Sequence, residues 1–454
     1  MKPSNSNTFA TQLGSILATA GCAVGLGNIW RFPTVAGQNG GAAFIFIYIF
    51  FNVALGLICM MTEFIVGRNG ACNPFRAYIK AGRNSAWGLM GIMSVICSVL
   101  ILSFYCVVSG WCTYYLYLAL KGGVLGSVTH IQETFRELTS ADGIFVCCSL
   151  SVLFIVLTHI IVVQGVQKGI EKAAKYMVPL LQVLLVLLGI AACSLPNSWS
   201  GIEFLFKPDF SKVTAKTFYE AMSMSFFSLS LGTACLVTYA SYFSKQANII
   251  KSAAQISLID ICVAILAGVM IFPAAFSVGI QPDAGPSLIF LTLPNVFTTA
   301  FSTTVGYVVS ILFYALLVLA ALTSTISLHE IGTSLISQEM HTSRVKSGMV
   351  ITVICSFLSI LCALSFVHPE IGVMGQTLFD NFDSVTSKVF MPVGAFFTSL
   401  LVGWVMSRRT VMKQLTSNAR YHWSKGMIKL FFVFVRFVCP VFILIIFIVN
   451  LLIG

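Results

Sequence analysis

An acid within an apolar run is the first feature of this sequence that could do chemistry. Asp260 lies in the segment SLIDICVAILAG, where the neighbours on both sides are apolar. A carboxylate in such surroundings is costly, so it is a functional residue by default. A protonated aspartic acid with only structural hydrogen bonds is the alternative. No nucleophile and base accompany it in the sequence, and we therefore expect binding rather than bond breaking.

Two other stretches carry glycine and hydroxyl residues where an apolar helix would carry leucine. The first covers 20–33 and contains Gly21, Gly25 and Gly27, followed by Asn28; the second covers 226–234 and is rich in Ser, Thr and Gly. A Gly in a helix interior costs about 1 kcal/mol relative to Ala. Close helix packing on small residues explains one such stretch. Two of them favour broken helices that line a cavity.

A helix broken in this way leaves unpaired backbone groups that bind ions. The N–H groups of Leu26 and Gly27 follow the expected break near Gly25 and are suited to a carboxylate. Carbonyl groups just before the break are suited to a hard cation such as sodium; they belong to Ala20, Gly21, Ala23 and Val24.

The composition places these stretches in a membrane protein. The 454 residues are 57% hydrophobic and 9% charged, whereas soluble domains carry about 25% charged residues. A helix that crosses a bilayer needs about 20 apolar residues. We therefore predict an all-α polytopic membrane protein with eleven spans, at 13–37, 41–66, 87–120, 143–163, 170–195, 218–243, 253–280, 303–337, 345–367, 386–407 and 428–453.

The interrupted segments are the first and sixth of these spans. The sixth begins a second set of five, so the interruptions hold equivalent positions in two halves of the chain. This arrangement is typical of an inverted repeat of five plus five spans, with the binding site at the broken helices. We expect one transmembrane domain over 1–454, with repeat one at about 10–195, repeat two at about 216–407 and an added helix at about 428–453.

The positive charge of the chain indicates topology rather than nucleic-acid binding. The net charge is +11, and most Lys and Arg residues fall on one side of the predicted spans. The positive-inside rule then places the N-terminus in the cytoplasm and the C-terminus outside the cell membrane. The first 12 residues lack the features of a cleaved signal peptide. The lipid bilayer is the expected partner, and the sequence predicts no oligomeric state.

Neither the cysteines nor the histidines predict a metal site. The 14 Cys lie mostly within the apolar spans, where a thiol acts as a small hydrophobic side chain. No pair has CxxC spacing, and the six His are scattered along the chain. Outside the spans, the loop at 281–302 starts with several turn-forming residues and is a candidate lid.

Three segments resemble the neurotransmitter:sodium symporter family, in that family's order and spacing. They are GCAVGLGNIWRFPTVAGQNGGAAF (21–44), SLSLGTACLVTYASY (228–242) and AALTSTISLHE (320–330). The length and span number resemble the shorter bacterial amino-acid transporters. The resemblance implies a leucine-transporter-type fold, no enzymatic activity, and sodium-coupled import of an amino acid by alternating access. An ion channel and a non-transporting amino-acid sensor are the alternative classes.

By this resemblance, the chain has two sodium sites. The first would combine the Ala23 carbonyl and the substrate carboxylate with Asn28, Ser228 and Asp260. Chloride-dependent members generally have Asn at the position of Asp260, whose charge would replace that of chloride. We therefore expect no chloride requirement, and proton antiport through Asp260 stays open. The second sodium site would combine Gly21, Val24, Ala320, Thr323 and Ser324.

The resemblance also places the substrate. Amine transporters of the family have an Asp at the position of Gly25, so Gly predicts a substrate with its own carboxylate, bound by Leu26, Gly27 and Tyr105. Leucine-binding members have Phe at the position of Thr233, which favours a larger neutral, hydrophobic or aromatic amino acid here. Another carboxylated amine or an osmolyte is the alternative. Around Ala23 and Ser228, the substrate would meet Ile101, Phe227, Ser230, Thr233, Ala234 and Leu328.

Two closures of this site are expected from the same resemblance. On the outer side, Arg31 would pair with Asp383, with Asp380 as the rival acid, and Tyr105 and Phe227 would close beneath. On the inner side, family members usually carry a basic residue followed by Trp. Here the matching positions are Ser6 and Phe9, so Tyr242 is expected to contribute to inner closure. Glu63 is expected to cap or pair with the broken sixth helix.

Overall fold

The computed structural model describes residues 8–279, 288–373 and 375–453. This part of the chain is built from helices and their connections, without β-strand. Nine of its helices are long and apolar enough to cross a membrane, and a bent pair of helices makes a tenth span. The sixth predicted span falls on two shorter helices, so the count of eleven spans stays a prediction.

The helices follow the predicted spans in order along the chain. They are Gln12–Ala23 with Gly27–Gln38 (first span), Ala42–Gly70 (second), Ser85–Leu120 (third), Ile144–Val163 (fourth), Val166–Cys193 (fifth), Ala215–Ser228 with Cys235–Ser241 (sixth), Ile249–Ser277 (seventh), Thr303–Glu339 (eighth), Arg344–Leu364 (ninth), Leu378–Val405 (tenth) and Lys425–Asn450 (eleventh). Shorter helices between them cover Pro74–Gly82, Val128–Thr139, Trp199–Phe206, Ile289–Thr299 and Arg408–Leu415.

Several spans begin at a short polar residue that caps the helix. The side chain of Thr11 accepts a hydrogen bond from the Gly14 N–H, and Asn248, Ser343 and Ser424 cap the seventh, ninth and eleventh spans in the same way. Such caps satisfy backbone N–H groups that have no partner inside the helix. These residues therefore set where the apolar runs turn into helices.

The tenth span is the one whose predicted start was wrong. It begins at Leu378, not near 386, because the side chain of Thr377 caps the helix by accepting from the Asp380 N–H at 3.1 Å. The first two turns carry Asp380 and Asp383, so a search for apolar residues misses them. The turn-forming start of the candidate lid, 281–286, lies outside the described residues.

The first span is broken where the sequence predicts. Its two helices meet at an angle of 54°. Between them, Val24 leaves helical geometry with a ψ of 100°, and the second helix begins with a widened π turn at Gly27–Arg31. The Val24 N–H still bonds to the Ala20 carbonyl at 2.7 Å. The break therefore begins after Ala23 and leaves the following backbone free to face a ligand.

The sixth span is broken by a run of left-handed residues. The backbone φ is +53° at Ser230, +80° at Gly232 and +62° at Ala234. The left-handed conformation costs roughly 1–2 kcal/mol for a residue other than glycine, so the surrounding structure must hold it. The Glu63 carboxylate accepts from the Gly232 N–H at 2.7 Å, which is the pairing expected for this acid. A Cβ at Gly232 would meet the Met391 backbone.

Both broken helices are enclosed by longer spans. The first span packs against the fifth, seventh and eighth, and the sixth span packs against the second. The third and eighth spans pack along each other, and the tenth contacts the third. Irregular backbone at this depth is stable only when protein or a cavity surrounds it. The fold therefore supports two breaks at the centre, and the candidate site lies there.

Candidate binding site

A small cavity lies between the two breaks and the third and eighth spans. Its volume is about 60 Å³. Every predicted substrate residue lines it except Leu26 and Ala234, of which Ala234 is buried beside the break. Leu26 contributes its backbone N–H instead, as described below. The lining residues from the prediction are Ala23, Gly25, Gly27, Ile101, Tyr105, Phe227, Ser228, Ser230, Thr233 and Leu328.

One end of the cavity presents backbone and hydroxyl donors. The Leu26 N–H donates to the Tyr105 hydroxyl at 2.8 Å, and the Gly25 N–H donates to Asn28 Oδ1 at 3.3 Å. A Cβ built at Gly25 would lie 2.8 Å from Tyr105 Oη and closer still to Ser324 Oγ. No larger residue fits at position 25 without a shift. This end can therefore hold a small anionic group but has no room for a carboxylate side chain of the protein.

The rest of the cavity wall is mainly apolar. Ile101, Phe104, Phe227, Leu328 and Met391 form most of its wall. The two hydroxyls here are already used, since Ser230 donates to the Cys22 carbonyl at 3.2 Å and Thr233 donates to the Ser230 carbonyl at 2.8 Å. A polar ligand group would have to displace these bonds, whereas an apolar group would not.

Asp260 lies at the centre of a fully buried polar cluster. Its Oδ1 accepts from the Asn28 amide at 2.7 Å and from the Ser228 hydroxyl at 2.6 Å. The Asn28 amide also lies 3.1 Å from Ser228 Oγ. These are the three side chains predicted for the first sodium site, and the structure brings them together. They supply hydroxyl, amide and carboxylate oxygens, which are ligands that a hard cation prefers.

The other oxygen of Asp260 has partners that the sequence analysis missed. Oδ2 accepts from the Tyr48 hydroxyl at 2.9 Å and from the Asn52 amide at 3.1 Å. Both come from the second span, one helical turn apart, and are fully buried. Two polar residues at i and i+4 in an apolar span are a signal that could have found them. With four donors, the carboxylate is fixed in place.

The residues predicted for the second sodium site also converge. The Thr323 hydroxyl lies 3.2 Å from the Val24 carbonyl and 2.9 Å from the Ala320 carbonyl. A Cβ at Gly21 would be 3.4 Å from Thr323 Cβ, and Ser324 faces the cavity. This cluster has no carboxylate. It joins the break of the first span to the eighth span through neutral oxygens alone.

On one side of the cavity, a single ion pair lies over an aromatic ring. Arg31 Nη1 is 3.6 Å from Asp383 Oδ1, and its guanidinium carbon lies 4.1 Å from the centre of the Phe227 ring. Asp380 instead accepts from the Thr377 hydroxyl at 2.6 Å. We call Arg31, Phe227 and Asp383 the Arg31 closure. This closure has one ion pair, and both of its charged side chains remain partly exposed.

On the other side, a larger group of residues closes the molecule. The Phe9 ring packs edge-on against Tyr239 and Tyr242, and the Phe9 N–H donates to the Tyr242 carbonyl at 3.1 Å. The Tyr242 hydroxyl donates to Glu330 at 2.6 Å, and Glu330 is paired with Arg344. Together with Glu171, these residues form what we call the Phe9 closure: Phe9, Glu171, Tyr239, Tyr242, Glu330 and Arg344.

Glu171 in the Phe9 closure was not found from the sequence. Its carboxylate accepts from the Ala10 N–H at 2.6 Å, from the Thr11 N–H at 3.2 Å and from the Thr11 hydroxyl at 2.8 Å. Lys175 holds it from the other side at 2.7 Å. The carboxylate thus covers the start of the first span, where N–H groups attract negative charge. Nothing local in the sequence links residues so far apart.

The structure also joins Cys22 to Cys235 in a disulfide, with the Cα atoms 7.0 Å apart. Cys22 precedes the break of the first span and Cys235 follows that of the sixth. The prediction that the cysteines act as small hydrophobic side chains is therefore wrong for this pair. The two cysteines are 213 residues apart in the chain, so no local motif could have predicted the disulfide.

Comparison with known proteins gives matches along nearly the whole chain. A model described as the sodium:neurotransmitter symporter family matches residues 6–125 and 128–453. An uncharacterized sodium-dependent transporter of Bacillus subtilis (strain 168), YhdH, is 37% identical over 444 residues, covering 97% of this chain and 96% of the relative. The sodium-dependent serotonin transporter of Drosophila melanogaster is 26% identical over 403 residues, which are 79% of this chain and 63% of that protein.

A solved structure matches the fold closely. The crystal structure of MhsT in complex with L-phenylalanine superimposes with a TM-score of 0.88 at 35% sequence identity. The match covers 98% of this chain and 99% of that one. The match therefore includes the segments that form both broken helices.

Proposed function

The chain belongs to the sodium:neurotransmitter symporter family, and from this premise we propose that it imports a neutral amino acid with an apolar or aromatic side chain. The protein is a sodium-dependent, multi-span membrane transporter and not an enzyme. The proposal concerns its substrate, its ion sites and its direction. Transport proceeds by alternating access, in which spans rearrange around a fixed central site.

The observation that carries the proposal is the end of the cavity at Gly25. Two backbone N–H groups and the Tyr105 hydroxyl converge there, and a side chain at position 25 has no room. None of the lining residues is an Asp or Glu. An amine without a carboxylate would therefore find no anionic partner. A substrate carboxylate would accept from the Tyr105 hydroxyl and would replace Tyr105 and Asn28 as the acceptors of the Leu26 and Gly25 N–H groups, while its ammonium would face backbone carbonyls.

The other end of the cavity favours an apolar substrate side chain. Its wall is formed mainly by aliphatic and aromatic residues, and the Ser230 and Thr233 hydroxyls already donate to carbonyls. Met391 is unbranched and adapts its shape to different ligands. MhsT was solved with L-phenylalanine, so aromatic amino acids are the first candidates to test. One apolar contact discriminates by about 1–3 kcal/mol only, so we expect several related substrates.

Two sodium ions accompany the substrate in this proposal. The first is held by the Ala23 carbonyl, Asn28, Ser228, Asp260 and the substrate carboxylate. The second is held by carbonyls and hydroxyls of Gly21, Val24, Ala320, Thr323 and Ser324. Because the substrate completes the first sodium site, each ligand raises the affinity for the other by the same factor. The short contacts among Asn28, Ser228 and Asp260, and between Thr323 and the Val24 carbonyl, support the two sites.

Transport should not require chloride. Asp260 supplies a fixed negative charge beside the first sodium site, held by four hydrogen bonds. That charge offsets sodium in a buried region where an uncompensated ion is costly. A halide near the same place would add a second negative charge to one site and would be repelled.

The positive-inside rule supplies the direction. Basic residues follow the C-terminal ends of three spans: Arg76 after the second, Lys168 after the fourth and Arg344 after the eighth. We call this side of the molecule the basic end, and the rule assigns it to the cytoplasm. The Phe9 closure lies at this end, since Arg344 is part of it. The proposal places this end in the cytoplasm, the C-terminus outside, and the Arg31 closure at the entrance for substrate.

Uptake by the purified chain in proteoliposomes tests the proposal. Radiolabelled amino acids are screened with sodium chloride, sodium gluconate and potassium chloride outside. We expect uptake of aromatic and large aliphatic amino acids in both sodium media and none in potassium. The matched variant is Asp260→Asn, for which we expect uptake to be lost in sodium gluconate and partly restored by chloride, because the carboxylate charge is gone.

Each other result has a defined meaning. A chloride requirement in the unchanged protein would contradict the role of Asp260 and leave sodium coupling in place. Uptake of a betaine or another carboxylated amine in preference to amino acids would replace the proposed substrate. Amino-acid binding without flux would favour a sensor, and flux that does not saturate with substrate would favour a channel.

A further inference from the structure

A basic groove lies along the eleventh span beside the start of the short helix Arg408–Leu415, and it shares no residue with the candidate binding site. Its volume is about 600 Å³. Half of its lining residues are cationic and half are apolar. They are Arg408, Lys425, Lys429 and Arg436, and Ile428, Phe432, Val433 and Phe437. We call this the basic groove. Its mixed lining fits a ligand with both a charged and an apolar part.

The charges of the basic groove have no acidic partner within the part of the chain that the structure describes. Arg436 Nε donates to the Gly403 carbonyl at 2.7 Å, and its guanidinium lies 5.5 Å from the Trp404 ring and 5.4 Å from the Phe432 ring. The Arg408 guanidinium lies 5.3 Å from the centre of the Phe432 ring. Aromatic rings therefore hold the two guanidinium groups in position while their charge stays unneutralised.

The cations of the eleventh span form a single stripe. Lys425, Lys429, Phe432 and Arg436 are spaced at i, i+4, i+7 and i+11, so they share one face of the helix. At 1.5 Å per residue, this stripe extends about 16 Å from the end of the span towards its middle. Arg436 is therefore well inside a membrane-crossing helix, where a lone charge is costly.

Among the nine long apolar helices of the described residues, the eleventh span has the smallest share of buried residues. Only 33% of its most apolar window is buried, and the side chains of Leu430 and Phe437 are more than half exposed. The basic groove thus opens towards lipid and not towards the centre of the protein. A ligand that fills the groove from Lys425 to Arg436 therefore has one part at the end of the span and another part beside its lipid-facing surface.

We propose that the basic groove binds an anionic phospholipid. The headgroup phosphate lies among Lys429, Arg408 and Arg436, because a guanidinium and a phosphate form short, charge-assisted hydrogen bonds. One acyl chain follows the apolar side of the groove along Phe432 and Phe437. A soluble anion would leave that apolar wall uncovered, and a second copy of this chain would have to bring acidic groups to a membrane-embedded surface.

The test uses the full-length protein, stripped of lipid in a neutral detergent. Native mass spectrometry measures retention of dioleoyl phosphatidylglycerol, with dioleoyl phosphatidylcholine and inorganic phosphate as comparisons. The variant is Lys425→Gln with Lys429→Gln, since neither side chain makes a hydrogen bond or ion pair in the described residues. The matched control is Lys245→Gln with Lys251→Gln, which removes two exposed charges from the same end.

We expect phosphatidylglycerol to bind and phosphatidylcholine not to. The groove variant should lose roughly 25-fold in affinity, at about 5-fold for each basic residue removed, while the control stays unchanged. A second variant, Arg436→Gln, removes one basic residue and should lose about 5-fold. Thermal unfolding in lipid-free detergent checks that each variant is folded as well as the parent.

Three results would overturn the proposal. Equal binding of both lipids would mean that apolar contact alone fills the groove. Full competition by inorganic phosphate would mean that the groove recognises a soluble anion. Appearance of a dimer that excludes phosphatidylglycerol, and that the groove variant abolishes, would identify a second copy of the chain as the occupant.

Discussion

The Arg31 closure and the Phe9 closure block the same cavity by different means. The Arg31 closure has one ion pair at 3.6 Å, between side chains that are 32% and 39% exposed. The Phe9 closure contains a carboxylate, Glu330, whose side chain is fully buried and bound by both Tyr242 and Arg344. Glu171 adds three hydrogen bonds to the start of the first span.

The difference indicates which side opens at lower cost. Exposed ion pairs contribute about 0.2–1 kcal/mol, whereas loss of one partner from a buried pair costs about 3–5 kcal/mol. In this conformation, the contacts of the Arg31 closure contribute less free energy than those of the Phe9 closure. An importer needs this asymmetry, because substrate must enter from one side while the other stays shut. The following predictions test it, from the strongest contact to the weakest.

Removal of the Glu330 carboxylate should have the largest effect. Glu330→Ala leaves Arg344 without its partner and the Tyr242 hydroxyl without its acceptor. We expect the free energy of unfolding to fall by about 3–5 kcal/mol and sodium-driven uptake to be lost. Equilibrium unfolding in detergent and uptake in proteoliposomes measure the two effects.

Tyr242→Phe is the matched control for Glu330→Ala. It removes one hydrogen bond to a charged group, worth about 1.5–3 kcal/mol, and keeps the ion pair. It should therefore be the milder of the two changes. If Tyr242→Phe destabilised the protein more than Glu330→Ala, the buried pair would not be the main contact of the Phe9 closure.

Much of this fold follows from local patterns in the sequence. The apolar runs predict the spans, because a bilayer demands about 20 apolar residues per helix. Gly25 and the run of Ser, Gly and Thr residues at 226–234 predict the breaks, since these residues weaken a helix where Leu would stabilise it. Asp260 predicts a polar site because a buried acid needs partners. Each of these signals lies within a few residues of the feature that it predicts.

The missed features depend on contacts between distant segments. Glu171 meets Ala10 across 161 positions of the chain, and Phe104 and Met391 line the cavity from the third and tenth spans. Which apolar residues face a cavity is decided by helix packing, and packing leaves no local mark in a helix that is apolar all round. The early start of the tenth span was missed because its first turns are polar.

Loss of the Glu171 carboxylate should have an intermediate effect. Glu171→Ala removes the carboxylate that accepts hydrogen bonds from the Ala10 N–H, the Thr11 N–H and the Thr11 hydroxyl. Hydrogen bonds to a charged group contribute about 1.5–3 kcal/mol, so the amides of residues 8–15 should exchange at least about tenfold faster. Hydrogen–deuterium exchange with mass spectrometry measures this directly.

Two further variants separate the Glu171 contacts from the ion pair beside them. Glu171→Gln keeps one carbonyl acceptor and should exchange at an intermediate rate. Lys175→Gln removes only the partner at 2.7 Å and should leave the amides of 8–15 nearly as protected as before. Equal exchange in Glu171→Ala and the parent would remove Glu171 from the Phe9 closure.

The smallest effect is expected at the Arg31 closure. Asp383→Asn removes a partly exposed ion pair, so stability should change by less than about 1 kcal/mol and the uptake rate by less than about fivefold. Added salt should reduce the difference, because exposed charges are screened. Asp380→Asn is the matched control one helical turn away, where the carboxylate bonds to Thr377 and not to Arg31. An effect of Asp383→Asn as large as that of Glu330→Ala would mean that the two closures are equally strong, since a screened surface pair cannot account for a loss of that size.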